Sequence, residues 1–275
     1  MIKIVATDLD ETLLNSERKV CKRNIDAIKK AREMGVLIVP STGRGPGFLD
    51  DVLESIDIKS SGNFSILANG GCILDNGSGK IIDMYPMQFE KVKKIFEYAK
   101  SKHIPCQIYT TEKAYYIHPA PTELLFADRY PDAYEIYNGD DIEFLKETPI
   151  IKMILFDNDL NYLMGLEPDI AKLCNYDLQI SYSSDKYMEI NEKGVNKGTG
   201  LKDICKMLNI DINDSMAIGD NYNDKEMLEV AGISVAVNNA HLLMKEISDY
   251  ITIANNNEGA VGEAIEKFIL NPRKK

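Results

Sequence analysis

Two carboxylates one residue apart, Asp8 and Asp10, stand directly behind a short apolar run at residues 2–6, in the stretch Asp8-Leu9-Asp10-Glu11-Thr12. In an extended chain, residues two apart point to the same side. Like charges that close repel, so the pair needs a cation or a shared proton. A carboxylate is a competent nucleophile toward phosphorus, and an aspartyl-phosphate divides one hard step into two. Asp8, fixed by a strand end, suits that role. Asp10 is placed to protonate a leaving alkoxide and then to deprotonate an attacking water, which requires it to hold a proton for part of the cycle. Taken alone, the stretch reads equally well as a solvated acidic turn.

Three further polar segments bear on the choice. Ser41-Thr42-Gly43-Arg44 follows the apolar run at 36–39, and Gly219-Asp220-Asn221-Tyr222-Asn223-Asp224 follows the run at 215–218. Lys197 opens a helical segment, and helix N-termini attract anions. Magnesium takes oxygen ligands and binds through one or two carboxylates plus substrate phosphate. Asp8 and Asp220 can supply those carboxylates, with a backbone carbonyl from the Asp10 turn. The Thr42 hydroxyl and Gly43 amide can donate to phosphate oxygens, and Lys197 adds a compact positive charge. Each segment has a plainer reading alone: Gly219-Asp220 as a turn and helix cap, Lys197 as a solvated lysine. The spacing from Asp220 to Asp224 lacks the glycine and alternating ligands of a calcium loop.

These segments need a scaffold that brings strand ends together. Residues 20–34 predict a helix with Val20, Ile25, Ile28, Ala31 and Met34 on one face and Gly35 as its stop. The β-branched run at 36–39 predicts a strand buried on both faces. A helix at 48–56 and a third strand at 65–68, ending at Asn69-Gly70-Gly71, continue the alternation of a parallel α/β sheet. In such sheets the carboxyl ends of the strands line one crevice. A hairpin follows, at 72–74 and 80–82 around Asp75-Asn76-Gly77-Ser78-Gly79. The order then changes to a helix at 88–102, strands at 106–109 and 114–118, a short helix near Glu123, a strand at 150–156, a helix at 160–174 and a strand pair at 178–183 and 187–190. That is an α+β unit with an antiparallel sheet. Alternation returns at Lys197: helices at 198–208, 225–231, 239–247 and 259–270, with strands at 215–218, 233–237 and 250–251. The expectation is a Rossmann-like parallel-sheet core from residues 1–82 and 191–275, with an α+β domain inserted at 83–190. Arg273-Lys274-Lys275 reads as a solvated tail.

With 275 residues, 44% hydrophobic and 27% charged, the chain has the composition of a globular protein. A formal net charge of −11 argues against nucleic acid, which requires clustered Lys and Arg. It leaves an anionic substrate possible where a divalent cation and local amines reverse the field. No apolar run approaches membrane-spanning length and no leader pattern precedes the first strand, so a cytoplasmic location without membrane partners is expected. The five cysteines are scattered without a C-x-x-C pair, which indicates neither a disulfide framework nor a zinc site.

The set Asp8-Leu9-Asp10-Glu11-Thr12-Leu13-Leu14, Ser41-Thr42-Gly43-Arg44, Asn196-Lys197-Gly198 and Gly219-Asp220-Asn221-Tyr222-Asn223-Asp224, with Met227-Leu228, resembles the haloacid dehalogenase superfamily, in particular its Cof-like sugar phosphatases with a large α/β cap. The resemblance spans nearly the whole chain. It implies Asp8 as nucleophile, Asp10 as acid/base, Leu9, Thr42, Gly43 and Lys197 on phosphate, and Mg2+ held by Asp8, Asp10 and Asp220. It implies that Asn223 touches phosphate or a metal-bound water, that Asp224 supports Lys197 or the metal shell, and that Arg44 and Asn221 play supporting parts. The segment 83–190 is then a cap that covers the site, with Tyr115, Tyr116, His118 and Arg129 as candidates to meet the leaving group, each of them equally suited to a core or surface role. The implied substrate is a small phosphorylated metabolite, a sugar phosphate first; alternatives are a phosphorylated cofactor (pyridoxal phosphate or flavin mononucleotide), mutase chemistry, or a non-catalytic phosphate-binding module. Two departures stand out. Ser41 replaces a usual alanine, and Asn238 replaces a usual glycine, where asparagine's tolerance of the left-handed region predicts a retained loop.

Overall fold

A computed structural model describes residues 1–272. The tail expected at 273–275 lies outside the described residues. The chain forms two compact units. The first comprises Met1–Gly43, Leu49–Asp83 and the chain from Asn196 onward; the second comprises Arg44–Phe48 and Met84–Val195.

In chain order the first unit begins with β1 (Ile4–Thr7), α1 (Lys22–Glu33), β2 (Leu37–Pro40), α2 (Asp50–Ser55), β3 (Phe64–Leu67), β4 (Cys72–Asp75) and β5 (Lys80–Met84). The second unit follows with α3 (Phe89–Ser101), β6 (Cys106–Thr110), β7 (Ala114–Ile117), α4 (Pro121–Ala127), β8 (Tyr134–Tyr137), β9 (Ile150–Phe156), α5 (Leu160–Leu173), β10 (Leu178–Ser183) and β11 (Tyr187–Glu192). The first unit resumes with α6 (Lys197–Met207), β12 (Ser215–Gly219), α7 (Lys225–Val230), β13 (Ile233–Ala236), α8 (Leu242–Ile247), β14 (Tyr250–Ile251) and α9 (Ala260–Ile265). Among the described residues no helix is long and apolar enough to cross a membrane. All five cysteines are free thiols.

The first unit is built on a five-stranded sheet of order β14-β13-β12-β1-β2, parallel throughout. Ile4, Val5, Ala6 and Thr7 of the central strand are all buried, as the apolar run requires of a strand covered on both faces. The helices α1 and α9 pack on each other, as do α6 and α7. Register fixes the functional edge: Thr7 stands opposite Pro40 on one side and Ile218 on the other, so three strands end level with one another.

The third strand departs from the expected parallel sheet. Among the described residues β3 joins it through one parallel bridge, Ser41 to Ile66, and pairs antiparallel with β4 in a separate β3-β4-β5 sheet. The Asn69-Gly70-Gly71 turn reverses the chain immediately, so β3 pairs along its length with β4, while the Ile66 carbonyl and the Asn69 amide still bond to Thr42. Asn238, where a retained loop is expected, is not among the residues with positive φ, so its position makes no use of asparagine's tolerance of the left-handed region. Its amide donates to the Thr252 hydroxyl at 3.0 Å, which holds the loop without that conformation.

The second unit is a six-stranded sheet of order β10-β11-β9-β6-β7-β8. Its pairs are antiparallel except β7 with β8. α3 and α5 pack on each other and against β9 and β11. The fold class is the one the sequence predicts: a parallel α/β core accompanied by an α+β unit.

Candidate active site

Asp8 is the first residue past β1, and its amide still donates to the Ile218 carbonyl at 2.9 Å, so the ladder holds its backbone. The chain then turns sharply: Glu11 has φ 64° and the Leu14 amide donates back to the Leu9 carbonyl at 2.8 Å. This turn returns Thr12 to the sheet edge, where its hydroxyl donates to Asp220 Oδ1 at 2.5 Å. Asp220 is itself the first residue past β12.

Lys197 is the first residue of α6. Asn196 caps that helix by accepting from the Thr199 amide at 2.9 Å, while the Thr199 hydroxyl accepts from the Asn196 amide at 3.0 Å. The Lys197 side chain is fully buried, and its Nζ lies 2.5 Å from Asp8 Oδ1 and 2.6 Å from Asp224 Oδ1. The other oxygen of Asp224 accepts from the amides of Asp220 and Asn221, both at 3.0 Å. Asp224 therefore fixes the lysine and the Asp220 turn together. Gly219 makes room for it, since a Cβ there would lie 2.6 Å from the Asp224 Cβ.

Asp8, Asp220 and Asp224 are all buried, and each offers a ligand oxygen within 4.8 Å of the others. Three carboxylates against one ammonium leave two negative charges uncompensated in a space that water hardly reaches. Burial pushes Asp8 up to about 8, against the pull of Lys197 and with the push of Asp224. Burial, then the charges of Asp8 and Asp224, hold Asp220 well above the ordinary carboxylate range, with the Thr12 hydrogen bond acting the other way. For Lys197 burial favours the neutral amine, but the charges of Asp224 and Asp8 outweigh it and raise its pKa. The lysine stays charged, and the acids carry the shortfall. A divalent cation matches it in charge, and an all-oxygen donor set suits magnesium. Both Asp224 oxygens are engaged with the protein, whereas Asp8 and Asp220 each have a second oxygen outside the bonds described above, which makes these two the fitting ligands.

The remaining expected residues fall into two groups. Thr42 is buried, its amide donating to the Ile66 carbonyl at 2.9 Å and its carbonyl accepting from the Asn69 amide at 3.0 Å, so the Thr42-Gly43 segment is anchored to β3. Asn223 is buried and its Nδ2 donates to Asn69 Oδ1 at 3.3 Å. Leu9 is buried and Asp10 half-buried in the turn after β1. The Asn221 side chain accepts from the Tyr222 amide at 2.8 Å, a capping part, so the plainer reading of this loop also holds. Arg44 groups with the second unit, where its guanidinium donates to the Phe48 carbonyl at 3.1 Å.

Thr12 and Asn69 were not assigned from the sequence. Thr12 lay inside the quoted acidic stretch, and Asn69 at a strand end, so the rule that selected Thr42 and Asp220 would have found both. Of the four aromatic or basic candidates in the second unit, Tyr116 is buried, Tyr115 half-buried with its ring edge-on to Phe144, and His118 and Arg129 are exposed.

A family model of haloacid dehalogenase-like hydrolases matches residues 5–265. The chain is 30% identical to a protein of Streptococcus pyogenes named as a putative phosphatase, over 98% of this chain and 99% of that one. It is also 30% identical to the 5-amino-6-(5-phospho-D-ribitylamino)uracil phosphatase of Bacillus subtilis, over 98% and 96%. A solved haloacid dehalogenase-like hydrolase from B. subtilis superposes with a TM-score of 0.85 at 26% identity, covering 98% of this chain and 100% of that one. The chain belongs to the haloacid dehalogenase-like hydrolase family, and its enzyme class within it is that of a phosphatase.

Proposed function

We propose that the protein hydrolyses small phosphorylated metabolites, sugar or polyol phosphates, in a magnesium-dependent reaction through a phosphoryl group carried on Asp8. The observation that carries this reading is the buried cluster itself: a carboxylate on the end of the central strand, held by a lysine yet short of positive charge. The relative that acts on a phosphorylated ribityl chain supports a polyol leaving group.

A cation held by Asp8 and Asp220 would keep Asp8 ionised and screen its charge from the incoming phosphate. Asp8 attacks phosphorus as the bond to the leaving oxygen breaks, and Asp10 gives its proton to that oxygen. Asp10, now a carboxylate, takes a proton from water as the water oxygen attacks phosphorus. The Asp8–phosphorus bond breaks, inorganic phosphate leaves, and both residues return to their starting states. Lys197, 2.5 Å from Asp8, lies within reach of a phosphoryl group bound there and offsets its charge. The Thr42 hydroxyl, the Gly43 and Leu9 amides and Asn223 supply donors to its oxygens, while Thr12 and Asp224 orient Asp220 and Lys197 rather than touch substrate.

Phosphate release from a panel of phosphate esters, with Mg2+ and with chelator, tests the reading; equal release in both conditions contradicts the metal requirement. Asp10→Asn is expected to keep substrate affinity and to slow turnover by about 100-fold or more. An unchanged turnover number removes Asp10 from proton transfer.

Stability should register the charge shortfall. An acid whose pKa rises on folding, from 3.8 to about 8 for Asp8, binds more protons folded than unfolded between those values. Its contribution to stability is therefore lost as pH rises through that window. In chelator the melting temperature should fall from about pH 5 to about pH 8, and the gain on adding Mg2+ should grow over the same range, because the ion competes with those protons. A Mg2+ gain that is the same at both ends contradicts the assignment of the cation to this cluster.

A further inference from the structure

The turn that carries Asp10 is held in a costly shape. Asp10, at φ −71° and ψ 125°, and Glu11, at φ 64° and ψ 5°, have the backbone angles of the two central residues of a type II turn. Glu11 stands at the second of these positions, where glycine is usual because other L residues meet a steric cost at positive φ. Such a conformation persists where the surrounding structure over-determines it.

Asparagine side chains from distant parts of the first unit do so here. Asn239 Nδ2 donates to the Glu11 carbonyl at 2.7 Å, Asn24 Nδ2 to the Leu13 carbonyl at 3.0 Å, and Asn256 Nδ2 to the Leu14 carbonyl at 3.0 Å. These side chains are themselves tied: Asn24 Oδ1 accepts from the Gly262 amide at 2.7 Å, and Asn239 Oδ1 from the Asn256 amide at 2.9 Å. Asn257 Oδ1 accepts from the Ser16 amide at 2.9 Å, so the run Asn255-Asn256-Asn257 grips the segment after Leu14 as well.

The loop from Val237 to His241 gives Asn239 its reference point. Its Val237 amide donates to the Gly219 carbonyl at 3.2 Å and its His241 amide to the Asp220 carbonyl at 2.9 Å. One short loop therefore ties the turn after β1 to the turn after β12. Glu11 and Asn239 are both exposed, so water could serve the Glu11 carbonyl as well as an amide does. What the amide adds over water is a fixed position.

We propose that Asn239 and Asn256 are positioning residues for proton transfer by Asp10: their bonds hold the type II turn between Asp8 and Thr12 in the form that brings the Asp10 carboxyl to the leaving oxygen. The proposal rests on the reading of Asp10 as the general acid given above. Without these bonds Glu11 can relax out of positive φ and carry Asp10 with it, and a misplacement of about 1 Å can cost about 100-fold in rate. Asp8 keeps its place, because its amide is held by the Ile218 carbonyl. The step that suffers is protonation of the leaving oxygen, and it matters more the poorer the leaving group.

The test is kcat/KM over a series of substituted phenyl phosphates and simple alkyl phosphates, in the full-length protein with Mg2+. This parameter covers the steps up to departure of the leaving group. The wild type should depend only weakly on leaving-group pKa. Asn239→Ala, a surface change, should melt near the wild type, lose about 10-fold or more on phenyl phosphate, and lose less than about 3-fold on 4-nitrophenyl phosphate, whose leaving group departs without a proton. Asn239→Asp keeps the acceptor but not the donor and should match Asn239→Ala. Asn256→Ala should steepen the dependence in the same way, with a lower melting temperature because Asn256 is buried. Equal losses on both esters, or no loss on either, show a structural clasp and overturn the proposal. Asp10→Asn separates the two ideas. A steep dependence there with an unchanged one in Asn239→Ala overturns this proposal alone, whereas an unchanged dependence in Asp10→Asn overturns the general-acid reading and this proposal with it. A wild type that releases no phosphate from any ester overturns the phosphatase reading first, and both of these with it.

Discussion

Asp8→Asn should lower phosphate release by about 10⁴-fold or more, because the reaction loses its covalent route and not merely one contact. The same substitution should leave the protein folded and, in chelator at about pH 8, no less stable than the wild type. The reason lies in the charge count of the cluster. Asp8, Asp220 and Asp224 share one ammonium, and burial already pushes Asp8 up to about 8. An amide in its place removes a charge that the folded state accommodates badly. Its oxygen can still accept from Lys197. Loss of activity together with loss of fold would mean that Asp8 is a structural carboxylate. Retained activity would remove it as nucleophile.

Lys197→Met should have the largest effect on stability. It removes the ammonium that, among the described residues, bonds Asp8 and Asp224, and an unpaired buried charge costs about 3–5 kcal/mol. The deficit should shrink as pH falls, because the abandoned Asp8 carboxylate can then take up a proton. Thermal or urea unfolding at two pH values checks this, and a pH-independent deficit would point to lost packing alone. Lys197→Arg should not restore activity, since the planar guanidinium does not fit a fully buried site built around a compact ammonium.

The parts of the site that could be read from the sequence are those set by local order. Asp8, Thr42 and Asp220 each follow an apolar run, and a parallel sheet brings such strand ends together whatever the distance along the chain. Partnerships across the chain could not be read in the same way. Thr12 meets Asp220 across 208 residues, and Lys197 meets Asp8 across 189. Nothing in either local sequence names the partner, and only the Asp8–Asp220 edge of the folded sheet does. Asn69 follows β3 at the kind of strand end that marks Asp220, but only the fold brings it to Asn223, across 154 residues. The strand at Tyr134–Tyr137 was not singled out because, at the sheet edge with only half-buried and exposed residues, it lacks an apolar face. Lys152 interrupts an otherwise apolar run in β9, a visible signal. Its partners depend on the register that brings Tyr109 opposite and Glu189 within reach.

The central claim is that the phosphoryl group passes through Asp8. Turnover quenched in acid, followed by mass analysis of the peptide that carries Asp8, tests it most directly. The expected result is one phosphoryl group on that peptide in the wild type, localised to Asp8, increased in Asp10→Asn where water attack is slowed, and absent in Asp8→Asn. Steady phosphate release with no phosphoryl group on the protein, or with one on a different residue, would contradict it.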